Sequence, residues 1–158
     1  MRNTMKPITR LRHYGLMLMG AALLGCGGSV PGPKEDLIPV SGTVKLGGQP
    51  TAGIQVAFVP VGLTAGQGAF AVTNDAGAYD LVHNATRLPG IGPGDYVVQF
   101  TKWVQPDGLP LPEKTAPHLV NAVNLIPPGW GGGGDAWPQT QIKVGRATTK
   151  LDFEIPAR

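Results

Sequence analysis

The sequence predicts an all-β protein, one β-sandwich of seven short strands interrupted by a single long loop rich in Pro and Gly. Three observations carry that expectation. Gly and Pro fill 24 and 16 of the 158 positions, about a quarter of the chain, and both resist helix interiors. Apolar residues reach 42% while charged residues stay at 15%, too much burial-type side chain and too little charge for a disordered polymer. Where apolar residues recur they do so at period two, with turn residues roughly every eight to twelve positions, the rhythm of antiparallel strands. A chain of this length holds one domain of ordinary size.

The first segment is read as an address. Residues 1–14 carry Arg2, Lys6, Arg10 and Arg12 with no acidic residue, and residues 15–25 run Gly-Leu-Met-Leu-Met-Gly-Ala-Ala-Leu-Leu-Gly. A basic stretch followed by a short apolar run is the pattern of an export signal. At about eleven residues the run is near half of what a bilayer-spanning helix needs, so no permanent transmembrane anchor is expected. It closes on Leu23-Leu24-Gly25-Cys26, which resembles the lipobox of bacterial lipoprotein signals. The resemblance implies a thioether-linked diacylglyceryl group on Cys26, cleavage before it, and acylation of the new amino terminus. Cys26 is the single cysteine, so no intramolecular disulfide can form, and lipidation gives an exported chain a reason to keep one thiol. Several acyl chains hold a protein on a membrane where one binds only marginally. The expected location is the cell envelope, outside the cytoplasm. The outer membrane is favoured because Gly27 and Gly28 stand where some bacteria place an Asp that retains lipoproteins at the inner membrane.

Cleavage changes the electrostatics. The intact chain has 13 basic and 10 acidic residues, a formal charge of +3 and a pI near 9.2. Residues 1–25 hold four of the basic and none of the acidic side chains, leaving nine against ten, a charge of −1. The basic pI belongs to the targeting segment, and nucleic acid is not an expected partner.

Residues 26–36 comprise the lipidated Cys26 and a tether, Gly-Gly-Ser-Val-Pro-Gly-Pro-Lys-Glu-Asp, without apolar periodicity. The domain spans 37–158. Ile38, Val40, Val44 and Leu46 alternate along a first strand that stops at Gly47-Gly48-Gln49-Pro50. Ile54, Val56 and Phe58 make a second. Phe70 and Val72 mark a third, and Tyr79 and Leu81 a fourth, with Asn74-Asp75-Ala76-Gly77 as the turn between them. In that turn Asp75 is expected to bond backbone amides and Gly77 to take positive φ. Tyr96, Val98 and Phe100 form the inner face of the strongest strand, Asp95 to Val104. Ile142 and Val144, then Leu151, Phe153 and Ile155, read as a terminal hairpin about Gly145-Arg146-Ala147. Residues 83–94 are a Pro/Gly-rich connection. Residues 105–138 form the long loop, with Pro106, Pro110, Pro112, Pro117, Pro127, Pro128 and Pro138 and the Gly131 to Gly134 run; a loop this long without its own sheet is usually functional or disordered.

Val40-Ser41-Gly42-Thr43-Val44, Gly48-Gln49-Pro50, Gly53-Ile54-Gln55-Val56, Thr73-Asn74-Asp75-Ala76-Gly77-Ala78-Tyr79 and Pro93-Gly94-Asp95-Tyr96-Val97-Val98 resemble, in order and spacing, the carboxypeptidase regulatory-like, transthyretin-like (prealbumin-type) domain. The resemblance covers 39–104 well and 139–155 loosely. It is similar in particular to the small lipid-anchored versions found in planctomycete bacteria. It implies a Greek-key sandwich, and none of the quoted motifs carries chemistry. Read alone, Pro93-Gly94 is a turn feeding a strand whose Tyr96 hydroxyl reaches a nearby loop, and Gly42 marks a bulge or a close strand approach.

No chemistry-bearing constellation emerges. His83 and His118 are 35 positions apart and lack the spacing of zinc ligands, so no metal and no cofactor are expected. A Ser41, His83 or His118, and Asp107 or Asp80 triad can be assembled on paper, but Ser41 lacks the Gly-x-Ser-x-Gly elbow. Transthyretin-like hydroxyisourate hydrolases carry a C-terminal Tyr-Arg-Gly-Ser motif, where this chain has Ile155-Pro156-Ala157-Arg158. The glycine runs 90–94 and 129–134 open no helix and cradle no phosphate. No enzyme is expected. The remaining candidates are Trp103, Trp130 and Trp137, which exposed would stack on a sugar or anchor a protein partner. With the loop folded back, the same rings would cap the core, in line with the burial that large aromatics usually reach. The expected function is a lipid-anchored structural or binding module that contacts an envelope protein or polysaccharide. The alternative is a carbohydrate-binding module using Trp130 and Trp137.

Overall fold

The computed structural model describes residues 36–131 and 140–158; Cys26, most of the tether and Trp137 lie outside them. The described residues are all-β, with eleven strands: β1 (Ser41–Leu46), β2 (Gln49–Pro50), β3 (Gln55–Pro60), β4 (Ala69–Val72), β5 (Ala78–Asp80), β6 (Val82–His83), β7 (Gly94–Thr101), β8 (Trp103–Val104), β9 (Val123–Asn124), β10 (Gln141–Val144) and β11 (Phe153–Ile155). Several are two-residue pairings that alternation is too short to reveal, which is why seven were expected.

One sheet is centred on β1. β11 runs parallel along one edge of it, while β5 pairs with Ser41–Thr43 and β2 with Lys45–Leu46, both antiparallel, along the other. The second sheet has the order β10-β7-β3-β4-β6, and a small ribbon pairs β8 with β9. Residues of the two large sheets enter one core: Val44, Tyr79, Phe153 and Ile155 from the first, Val56, Phe58, Tyr96, Val98 and Phe100 from the second. Phe153 bridges them, its ring 4.9 Å from Phe100 and 6.5 Å from Phe58, both edge-to-face. That geometry adds about 0.5–1.5 kcal/mol per pair beyond the burial itself.

The predicted alternation holds in β1, β3 and β7. Val44, Val56, Phe58, Tyr96, Val98 and Phe100 are essentially inaccessible. Tyr96 donates its hydroxyl to Gly92 O at 2.9 Å, the loop contact expected of it. Gly42 is a close approach, since a Cβ there would run into the Leu151 backbone.

Four expectations are corrected. Phe70 and Val72 do not face the core. Directly opposed residues of an antiparallel pair share a face, and β4 pairs Ala69 with Phe58 and Ala71 with Val56. The two alanines are therefore inside and their larger neighbours outside, where Arg87 covers the Phe70 ring at 4.8 Å. In the turn after β4 the amides of Ala76 and Ala78 are bonded by Asn74 Oδ1 rather than by Asp75, and Gly77 does take positive φ.

The strand expected to continue to Val104 breaks at Lys102, whose N–H donates to Asn124 Oδ1 instead of to a strand partner. The terminal hairpin is absent as well. β10 pairs with β7 in one sheet and β11 with β1 in the other. The turn closed by Thr148 N–H on Gly145 O is a crossover between sheets. By separating, the two segments each satisfy an open strand edge, which pairing with one another would have left unbonded. The crossover is pinned by Asp152, which accepts from Thr43 N and Thr43 Oγ1, both at 2.8 Å. These bonds, with Lys150 at 3.3 Å, hold its carboxyl below the usual range. Beside it the Tyr79 hydroxyl donates to Leu151 O at 2.8 Å, and burial, then the Asp152 charge, push that phenol up.

Candidate functional site

Strand directions give this unit two ends. At one, Ile38 pairs with Ile91, Thr64 Oγ1 accepts from Asp95 N and donates to Asp95 O, Asn84 N–H donates to Gly68 O, and Arg146 meets Asp36 at 3.3 Å. The first described residues, the β3–β4 loop and the start of β7 therefore share this end, the leucine pole. At the other end lie the close of β7, the β8–β9 ribbon and the segment through Gly131, the tryptophan pole.

The tryptophan pole is organised by Asn124. Its Oδ1 accepts from Lys102 N at 3.0 Å and from Ile126 N at 3.1 Å, while its backbone carbonyl accepts from Arg158 Nη1. One amide side chain thus ends β7, starts the ribbon and turns Ile126 into the core, where it is 2% exposed. Residues 105–109 close a turn in which Leu109 N–H donates to Asp107 Oδ1 and Gly108 takes φ 86°. Pro117–Val120 and Pro128–Trp130 are single 3₁₀ turns, each opened by Pro where a missing N–H costs nothing. From Val123 to Gly131 the long loop is tied to the sheets, by the β8–β9 pairing, Leu125 N–H on Lys102 O, the buried Ile126 and Trp130 on Phe100.

The predicted tryptophans separate. Trp130 packs on the core with its ring 5.9 Å from Phe100, so it is a cap. Trp103 is opposite Asn124 in the ribbon and 41% exposed. Leu109, Leu119 and Val123 in the same region are also exposed. Trp137 and Cys26 fall outside the described residues. The signal missed in the sequence is Asn124. A polar residue between Val123 and Leu125-Ile126 interrupts an apolar run, as a side chain substituting for backbone partners does.

The residues of the paper triad are not brought together. Ser41 opposes Asp80 across β1 and β5, on the face away from Tyr79 and the core. His83 opposes Ala69 on the inner side of the other sheet and is 4% exposed, with Nδ1 3.1 Å from Thr86 Oγ1. His118 and Asp107 belong to the tryptophan pole. Among the described residues no three His, Cys, Asp or Glu side chains are grouped to hold a metal ion. No helix of the described residues is long and apolar enough to cross a membrane. No protein-family profile, curated protein or solved structure matches the chain.

Proposed function

We propose that this protein is a lipid-anchored extracytoplasmic module without catalytic activity, whose all-β domain binds or positions an envelope protein or polymer. The observation that carries this reading is the basic-then-apolar leader ending at Leu23-Leu24-Gly25-Cys26, with Cys26 the single cysteine in the chain. The finer lineage we propose is the Greek-key, transthyretin-like sandwich. The Tyr96 to Gly92 bond and the Asn74–Gly77 turn support it, because both fall in the motifs that carry the resemblance. The binding surface in this reading is the tryptophan pole, where Trp103 offers a large half-exposed ring on a ribbon fixed by Asn124. Aromatic side chains held rigidly give contact area at little entropic cost. The alternative, sugar stacking by Trp130 and Trp137, is weakened for Trp130 by its engagement with Phe100.

Intact mass of the mature protein tests the anchor. Acyl groups on Cys26, with release of the domain in Cys26→Ala, are expected, and an unmodified soluble chain contradicts the reading. Pull-down on cell-wall material and a glycan array test the surface. Trp103→Ala is expected to lose the retained partner while keeping the fold. Glycan binding lost in Trp130→Ala and Trp137→Ala would favour the sugar reading.

A further inference from the structure

The leucine pole carries exposed apolar side chains that nothing in the fold uses. Leu63 stands at the tip of the β3–β4 loop with its side chain as exposed as in an isolated residue, at 105%. Val61 at 36% is two positions away, and Leu88 at 57% is on the neighbouring loop, joined to the first through Asn84, which bonds Gly68 O and Gln67 O. Single exposed leucines are ordinary. Two leucines and a valine on adjoining loops, beside a tip held by Thr64 on Asp95, are left exposed.

We infer that this pole rests on the lipid surface to which Cys26 is anchored, with Leu63 inserted among the acyl chains; the inference rests on the anchoring proposed above. Chain length favours the leucine pole. From Cys26 to Asp36 there are ten residues, and Asp36 is at the leucine pole, paired with Arg146. A Gly-rich chain of ten residues spans about 17 Å root-mean-square, and about 35 Å at full extension. β7 alone, eight residues long, separates the poles by about 26 Å. A ten-residue coil at its root-mean-square span brings the leucine pole to the bilayer, whereas the tryptophan pole would reach it only with the tether stretched well beyond that span. The contact is apolar rather than electrostatic. The exposed cations Arg146 and Lys143 are paired with Asp36 and Asp95 at 3.3 and 3.9 Å, and Arg87, beside Leu88, lies over the Phe70 ring, so salt is expected to have the smaller effect on seating.

The experiment uses the processed lipoprotein in vesicles of phosphatidylethanolamine and phosphatidylglycerol. Because Cys26 is acylated, a cysteine placed by Leu63→Cys, Leu88→Cys or Leu119→Cys is the only free thiol and takes an environment-sensitive fluorophore. All three side chains are exposed, so the fold tolerates the label; circular dichroism of each variant checks this. Expected are blue-shifted emission and quenching by doxyl-labelled lipid at 63 and 88, with aqueous emission and iodide quenching at 119. Acylated protein in which 63 is as wet as 119 overturns the pole assignment and leaves the anchor standing. Lipid quenching at 119 with 63 wet overturns it too and turns the tryptophan pole to the membrane. A mass without acyl groups removes the anchor and this inference with it.

Discussion

Leu63 and Trp103 are both apolar, both exposed and at opposite ends of the same sheet, yet the chain supports them differently. Leu63 is the tip of a short hairpin loop between paired strands, held by one threonine on one backbone unit. Trp103 lies on a ribbon in which the Asn124 side chain replaces the backbone partner that β7 gives up at Lys102. The Leu63 tip stands clear of the core. The tryptophan pole has an underside, Ile126 and Trp130, that lies in or against the core. Damage at the core is therefore expected to reach the tryptophan pole first, and damage at the leucine tip to go no further.

The largest effect is expected from Phe100→Ala. It removes the ring that meets both Phe153 and Trp130, costs about 3–5 kcal/mol, and is read by chemical denaturation. If the loss is instead confined to faster hydrogen exchange at residues 123–131, with global stability kept, the core and the tryptophan pole are separate units and the contrast is wrong.

Asn124→Ala ranks next. It leaves the amides of Lys102 and Ile126 without their partner, a cost of about 1–3 kcal/mol. It is expected to raise exchange and protease cleavage within 103–126 while the Thr64–Asp95 loop stays protected. Equal loosening of both poles would erase the distinction.

The smallest effect belongs to neither pole. Asp152 pins the crossover through Thr43, and its folded carboxyl is held below the unfolded value. Its contribution is thus present above the unfolded pKa of about 3.9 and lost as the pH falls through the folded one. Asp152→Asn is expected to flatten the acid side of the stability–pH curve and to leave the shape near neutrality unchanged. An unaltered acid limb would show that the Thr43–Asp152 bonds do not pin the crossover.

Much of this was legible in the residues. Alternation placed β1, β3 and β7, because Val44, Val56, Phe58, Tyr96, Val98 and Phe100 fall at alternate positions along them and are buried. Pro93-Gly94-Asp95-Tyr96 announced the bond of Tyr96 to Gly92. Alternation misled at β4, where the inward residues are Ala69 and Ala71. Small residues give a weak periodic signal, and their face was chosen by the register with Phe58 and Val56. The joining of β10 to β7 and of β11 to β1 was not legible, since a turn and two alternating segments are common to a hairpin and to a crossover. Of the tryptophans, spacing could not tell Trp103 from Trp130, because what separates them is a ring contact with a residue 30 positions away.

By itself the sequence determined the longer strand-forming segments and most turn positions, since these depend on local sterics and on neighbours a few residues apart. Only the tertiary structure decided which strand edge each segment satisfies, which tryptophan is spent on the core, and which pole the first described residues share with Leu63. Those outcomes are set by competition for backbone partners and buried volume among residues distant in the chain.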